Sequence, residues 1–304
     1  MRWAILILTS VAAFAVFGES ANLTFEQAGK ESYTFNTGAL KGTLRNEGRS
    51  IGLLLTEHVQ SGVKLDGNDY GQFGHYRVFT ENHRYGHAAW EWPSTSKLRP
   101  DGAVEVRWPA TEDHPFELGA VYRWAAPDTL DLETSVTAQA DLKAFESFLA
   151  SYFSEAFPAS TVYAKVGPEG RSAFQTTPQE AGVWQAFPRD RQAVSIIKDG
   201  RWKIEPNPVD WAIREDLAAP LGIRRNPANG LCAILMAPPQ DCFAVMTPNA
   251  GEGHRSLYLC LFGRDIKAGE TATARARLVV RTLARDEDAV PLYESYAGRG
   301  KSAK

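Results

Sequence analysis

Polar and apolar residues alternate along much of this chain. Residues 103–108 (AVEVRW) put Val104, Val106 and Trp108 on one side and Glu105 and Arg107 on the other, with Asp101-Gly102 as the turn before them. Residues 130–136 (LDLETSV) repeat the parity: Leu130, Leu132 and Val136 oppose Asp131, Glu133 and Ser135, after the turn signal Pro127-Asp128. Two is the strand period, so both segments are predicted strands. Apolar runs bounded by turn residues predict further strands over 51–56, 116–124, 147–153, 192–198, 231–236, 242–246, 256–262 and 272–281. Helix is expected only over 285–296, where acidic residues open the segment and Gly298 follows it, and this helix is expected to cap one end of the fold. The spacing predicts an all-β fold, a large antiparallel β-sandwich with few short helices.

The start of the chain breaks the alternation. Behind Met1 and Arg2, residues 3–17 (WAILILTSVAAFAVF) form an apolar run as long as a signal-peptide core and short of the ~20 residues a spanning helix needs. Val16 and Gly18 suit a cut before Glu19, and a cut after Ala21 is the alternative. Residues 1–18, extending at most to 21, are therefore read as a signal peptide, and the mature protein as exported, periplasmic or extracellular, with no membrane span. No repeat, low-complexity tract or linker divides the remainder, so 22–297 reads as a single β-sandwich domain and 298–304 as a disordered tail. Stretches 158–188 and 205–220 mix Pro, charged and aromatic residues without alternation and are expected to be long loops over the sheets.

Charge and cysteine content narrow the partners. The formal net charge is −3, with 33 basic and 36 acidic residues and no basic stripe, so nucleic acid is not an expected partner. The three cysteines, Cys232, Cys242 and Cys260, are odd in number and lie in apolar runs. They read as buried free thiols, with a single Cys232–Cys242 bridge between neighbouring strands as the alternative. Their spacing fits no zinc pattern, and no metal or other cofactor is read from the sequence.

Two stretches carry a family likeness. Residues 127–153 (PDTLDLETSVTAQADLKAFESFLASYF) run strand, spacer, aromatic-rich strand, and residues 256–280 (SLYLCLFGRDIKAGETATARARLVV) pair an apolar strand with an "aGet" turn and a final alternating strand. Both resemble galactose-mutarotase-like β-supersandwich proteins. Aldose epimerases, domains of polysaccharide lyases and glycoside hydrolases, and proteins with no known activity belong to that superfamily; the resemblance implies a concave sheet that receives carbohydrate. In the epimerases a late glutamate acts as base opposite a central histidine, which makes Glu252 the analogue by order. The central strand here reads SFLASYF, without the histidine those enzymes carry before a Pro-Tyr pair, which leaves Tyr152 as the polar ring in that neighbourhood.

Chemistry-bearing residues gather in 74–92 (GHYRVFTENHRYGHAAWEW), which holds half of the six histidines. Side chains two apart on a strand share a face, so His75, Arg77 and Glu81 are expected to point one way, with His83 and His87 returning toward them after a turn. A histidine and a carboxylate can divide the removal of a hydroxyl proton and the protonation of a ring oxygen. Arg77 and Arg84 would hold hydroxyls, while Tyr85, Trp90 and Trp92 offer faces for a sugar ring. A zinc site from Glu81, His83 and His87 is the alternative there, but the helical HExxH context is missing. A second group, Glu252, His254, Arg255 and Tyr258, follows a glycine-flanked loop that can approach a ligand or simply form a surface hairpin. His58 and His114 read as solvated turn residues.

The expected function is a carbohydrate-active protein using His/Glu acid–base chemistry, as an epimerase, lyase or hydrolase. The alternative is a non-catalytic glycan-binding protein, with Trp90, Trp92, Trp184, Trp202 and Trp211 as platforms. The leader reading is testable by mass spectrometry of the exported product, which should begin near Glu19 or Asn22; a membrane-bound product retaining Met1 would overturn it.

Overall fold

The computed structural model describes residues 22–46, 48–67 and 69–298, so the expected signal peptide lies outside the described residues, as does the expected tail 298–304 except for Gly298, which ends a helix. A nine-stranded sheet runs, edge to edge, through Arg171–Thr176, Ala159–Val166, Leu217–Arg225, Leu231–Met236, Thr271–Thr282, Thr129–Ala138, Phe116–Ala126, Val104–Trp108 and Thr95–Leu98. A seven-stranded sheet runs through Trp211–Ile213, Trp184–Pro188, Cys242–Pro248, Ser256–Ile266, Leu142–Tyr152, Gly74–Thr80 and His83–Arg84. A five-stranded meander, from Glu26–Gln27 to Val63–Lys64, completes the architecture. Among the described strands, Trp184–Pro188 and Trp211–Ile213 form the one parallel pair. The all-β sandwich expected from the alternation is the observed fold.

Strand parity sets the layers. In Thr129–Ala138, Leu130, Leu132 and Val136 enter the core, while outward Asp131 meets Arg277 of the neighbouring strand at 2.6 Å. The seven-stranded sheet is buried on both faces. Along Ser256–Ile266, Leu257, Leu259 and Leu261 join the main core, whereas Tyr258 and Cys260 belong to a second apolar layer on the other face. That second layer is closed by the segment from helix α1 (Arg191–Ile197) to Trp211.

Several expectations are corrected here. The predicted strand over 192–198 is instead helix α1 through Ile197: Asp190 caps it by accepting from the Ala193 N–H at 2.9 Å, and Ala193, Ile196 and Ile197 bury one helical face. The stretch 158–188 holds the strands Ala159–Val166, Arg171–Thr176 and Trp184–Pro188 instead of a loop; inward Ser160 and Ala164 are too small or polar to give the alternation contrast. The stretch 205–220 contains Trp211–Ile213 and the start of Leu217–Arg225. The expected C-terminal helix is present as a 3-10 turn, Asp286–Ala289, followed by α2 (Val290–Gly298). It packs on an outer sheet face rather than an end: Tyr293 and Tyr296 join Ile223, Ile234 and Val279, and Tyr296 covers Arg277 at 4.3 Å. The thiols are free and occupy three different layers, Cys232 under α2, Cys242 in the main core and Cys260 in the second layer, so no Cys232–Cys242 bridge forms. No described helix is long and apolar enough to cross a membrane.

His75 lies in the main core, where it ties the two large sheets together. Its Nδ1 is 2.9 Å from Ser147 Oγ, its Nε2 is 3.3 Å from Thr134 Oγ1, and Trp108 stands edge-on to the ring. Burial pushes its pKa from 6.5 down to about 3. The unfolded chain therefore takes up this proton below about 6.5 while the folded chain refuses it until about 3. Between those limits the unfolded state binds more protons, so stability is full above the window and falls as pH falls through it, by at most ~1.4 kcal/mol per pH unit from this group. Denaturant titrations across the window should give a shallower pH slope for His75→Gln than for the natural chain; equal slopes would contradict the coupling.

Candidate functional site

The site is shaped by a bulge in Gly74–Thr80. Opposite Leu142–Tyr152, Phe148 pairs with Arg77 and Leu149 with His75, so Tyr76 is an extra residue between them. One more residue reverses the parity. His75 and Val78 go into the main core, while Tyr76 and Arg77 turn together toward the second layer. The expectation that His75 and Arg77 share a face fails for this reason.

On that second face a cavity of about 340 Å³ opens. The sheet supplies Tyr76, Arg77, Phe148, Tyr152 and Tyr258; Trp184 and His254 close one side, and Trp202, Asn207, Pro208, Val209 and Trp211 form the cover. Tyr76 lies flat on Trp90, with centroids 4.3 Å apart and planes 4° from parallel, so Trp90 backs the wall without lining it. His254 Nδ1 is 2.8 Å from Glu252 Oε1, and Trp184 meets the imidazole at 5.1 Å. Hydrogen bonding from His254 holds the Glu252 carboxyl below the usual carboxylate range. Burial pushes the Tyr152 phenol well above its ordinary value and raises that of Tyr258, whose hydroxyl is 2.5 Å from Ser256 Oγ.

Of the residues singled out in the sequence, Arg77, Tyr152, His254, Tyr258 and the rings of Trp184, Trp202 and Trp211 line this cavity, and Glu252 stands behind His254. The others lie elsewhere. Glu81 and His83 are exposed at the turn on the sheet edge, His83 standing edge-on to Tyr85. His87 is exposed beside Glu91, at 3.2 Å. Tyr85 is buried, its hydroxyl 3.2 Å from Thr80 Oγ1 and its ring against Phe116. Trp92 stacks on His114 at 4.2 Å, so His114 is buried rather than solvated. Among the described residues no three His, Cys, Asp or Glu side chains gather as a metal site, Glu81, His83 and His87 included. Tyr76, Phe148 and the Asn207–Val209 turn were not legible as site residues; the Pro/Asn-rich run EPNPVDW marks the turn but not what it covers.

Three buried arginines sew the cover to the sheet. Arg201, fully buried, donates to Asp199, to Glu146 Oε2 at 3.1 Å and to the Ala144 carbonyl at 3.0 Å, and thereby fixes its neighbour Trp202. Arg84 donates to the carbonyls of His87 at 2.7 Å, Gly86 at 3.1 Å and Ile204 at 3.3 Å, and to that of Pro206. Arg77 donates to the Asn207 carbonyl at 2.8 Å.

No protein-family model and no curated protein matches this sequence. Solved structures do. Heparan sulfate lyase HepC, a mutant form from Pedobacter heparinus, matches with a TM-score of 0.50 at 8% identity, over 88% of this chain and 38% of that one. The Slr1438 protein from Synechocystis sp. PCC 6803 matches at 0.43 and 10%, over 89% of this chain and 100% of that one. An Escherichia coli K12 protein provisionally described as an aldose 1-epimerase matches at 0.41 and 14%, over 86% and 99%. The match to HepC is a likeness of fold. At these identities no likeness to these neighbours extends beyond the fold.

The arginine contacts make a contrast that denaturation can check. Arg201→Met leaves Glu146 buried without its charge partner and should cost about 3–5 kcal/mol. His83→Ala and His87→Ala, on exposed positions, should stay within about 0.5 kcal/mol of the natural chain. An Arg201→Met variant as stable as the natural chain would mean that the cover is held by its apolar contacts alone.

Proposed function

We propose that the chain is an exported carbohydrate-active protein whose cavity receives a sugar ring and in which His254, steered by Glu252, moves a proton. The observation that carries this reading is one cavity combining flat apolar rings with a carboxylate-tethered imidazole. A sugar ring has an apolar C–H face and a hydroxyl rim. Tyr76, Phe148 and Trp184 offer surface to the first, and the phenols of Tyr152 and Tyr258 offer hydrogen bonds to the second. With Nδ1–H donated to Glu252, the other imidazole nitrogen keeps its lone pair and can accept a proton from a sugar hydroxyl or an activated ring carbon. The Glu252 carboxylate then stabilises the imidazolium formed. Tyr152 and Tyr258, kept protonated by burial, can return a proton or hydrogen bond to a ring or bridging oxygen. Epimerase, lyase and hydrolase chemistry all need such a pair of groups. HepC, which shares the fold, is named for action on a polysaccharide, which accords with this reading.

A second reading, glycan binding without turnover, is favoured by the single carboxylate at the cavity: the described lining residues include no acid, and Glu252 is engaged with His254. Both readings are tested by sugar-induced quenching of tryptophan fluorescence, followed by NMR of the products. Trp184→Ala should weaken sugar binding about tenfold through lost ring contact. His254→Gln and Glu252→Gln should still bind sugar but lose turnover by about 10²–10⁴. Turnover unaffected by His254→Gln would overturn the catalytic assignment. Binding without turnover by the natural protein would favour the glycan-binding reading, and failure of every sugar to bind would overturn both.

A further inference from the structure

We propose that the cavity selects sugars bearing an anionic substituent, a carboxylate or a sulfate, through the uncompensated guanidinium of Arg77. The inference rests on the sugar-binding reading above and adds the class of sugar.

Arg77 is 4% exposed and lines the cavity, its guanidinium lying 5.0 Å from the Tyr76 ring centroid and 5.1 Å from that of Trp202. One terminal nitrogen donates to the Asn207 carbonyl; Nε and the other terminal nitrogen are buried with no acceptor among the described residues. The indole N–H groups of Trp202 and Trp211 are buried in the same condition. Every unmatched buried polar atom on this wall is thus a donor.

Charge follows the same pattern. Arg201, which pairs with Glu146 and Asp199, shows what a self-sufficient site looks like; Arg45 lies 3.5 Å from Glu31, although two of its nitrogens also lack an acceptor among the described residues, and Arg224, like Arg77, meets no carboxylate but donates to carbonyls and to Thr247. Arg77 has no carboxylate within ion-pair distance among the described residues, and its neighbour Arg84 donates to backbone carbonyls and to the Tyr76 side chain, with Glu205 as the acid whose charge reaches it. Burial, with the Arg77 charge adding to it, pulls the Arg84 pKa down to about 10. A buried cation without an opposite charge is costly. A neutral sugar would bring acceptors but no charge, whereas an anionic oxygen brings both and forms hydrogen bonds about twice as strong.

The test compares three oligosaccharides by calorimetry: an oligogalacturonate, its methyl ester, and a sulfated galactan oligosaccharide. Binding of either charged ligand should exceed that of the ester by about ten- to hundredfold, and the stronger of the two identifies carboxylate or sulfate as the group taken. Arg77→Met should abolish the preference, and Arg77→Lys, which keeps the charge but not the planar fork, should retain part of it. Thermal unfolding of both variants checks that the cover remains closed. Should the ester bind the natural protein as tightly as the charged ligands, the inference fails while the sugar-binding reading stands. Should none of the three bind, and neutral sugars fail as well, both fail together.

Discussion

Between His75 and Arg77 the strand Gly74–Thr80 carries one residue more than its neighbour can pair, and the second face of the seven-stranded sheet takes its chemical character from that insertion. Strict alternation would send Tyr76 and Arg77 to opposite sides. With the bulge, His75 remains in the core, neutral and hydrogen-bonded at both nitrogens, while Tyr76 and Arg77 turn side by side to the other face. A strand that is otherwise core therefore contributes a cation and a ring to a cavity wall. The cost is local loss of ladder hydrogen bonding, which the flanking pairs on Leu142–Tyr152 tolerate.

A cavity of this kind also needs a roof. The segment from α1 to Trp211 has little regular structure, so its position is set by side chains rather than by a ladder. Arg201, Arg84 and Arg77 reach from buried positions to carboxylates or backbone carbonyls on both sides of the gap. Carbonyls of irregular segments need donors when they are buried, and an arginine can satisfy several at once. The two outcomes differ, however: Arg201 is saturated by acids, and Arg77 is not.

The sequence made the half-exposed strands legible because their two faces differ chemically: Thr129–Ala138 shows its parity in the residue letters themselves. Strands buried on both faces lose that contrast, and Ser256–Ile266 reads as a plain apolar run although its alternate residues serve different layers. Residues 192–198 misled because β-branched residues suggest strand, while the Asp190 cap and the spacing of Ala193, Ile196 and Ile197 select helix. Within the site, the clustering of histidines around 83–87 reflected proximity along the chain, whereas the cavity joins residues far apart. Arg77, Tyr152, Glu252 and His254 were legible as polar groups near glycine or aromatic residues. Tyr76 was not, since nothing local in GHYRVFT announces a bulge whose partner lies in another strand.

The order of strands in the seven-stranded sheet has a consequence for how the protein is made. Gly74–Thr80 borders Leu142–Tyr152, which borders Ser256–Ile266, so the walls of the cavity come from the first third, the middle and the last part of the chain. A chain emerging from the ribosome can form the meander and much of the early pairing, but Tyr258 and His254 have not yet been synthesised when the first wall is ready. No fragment ending before Ser256–Ile266 contains the pocket. The cavity is thus incomplete until Ser256–Ile266 has joined the sheet, and it appears only together with that strand.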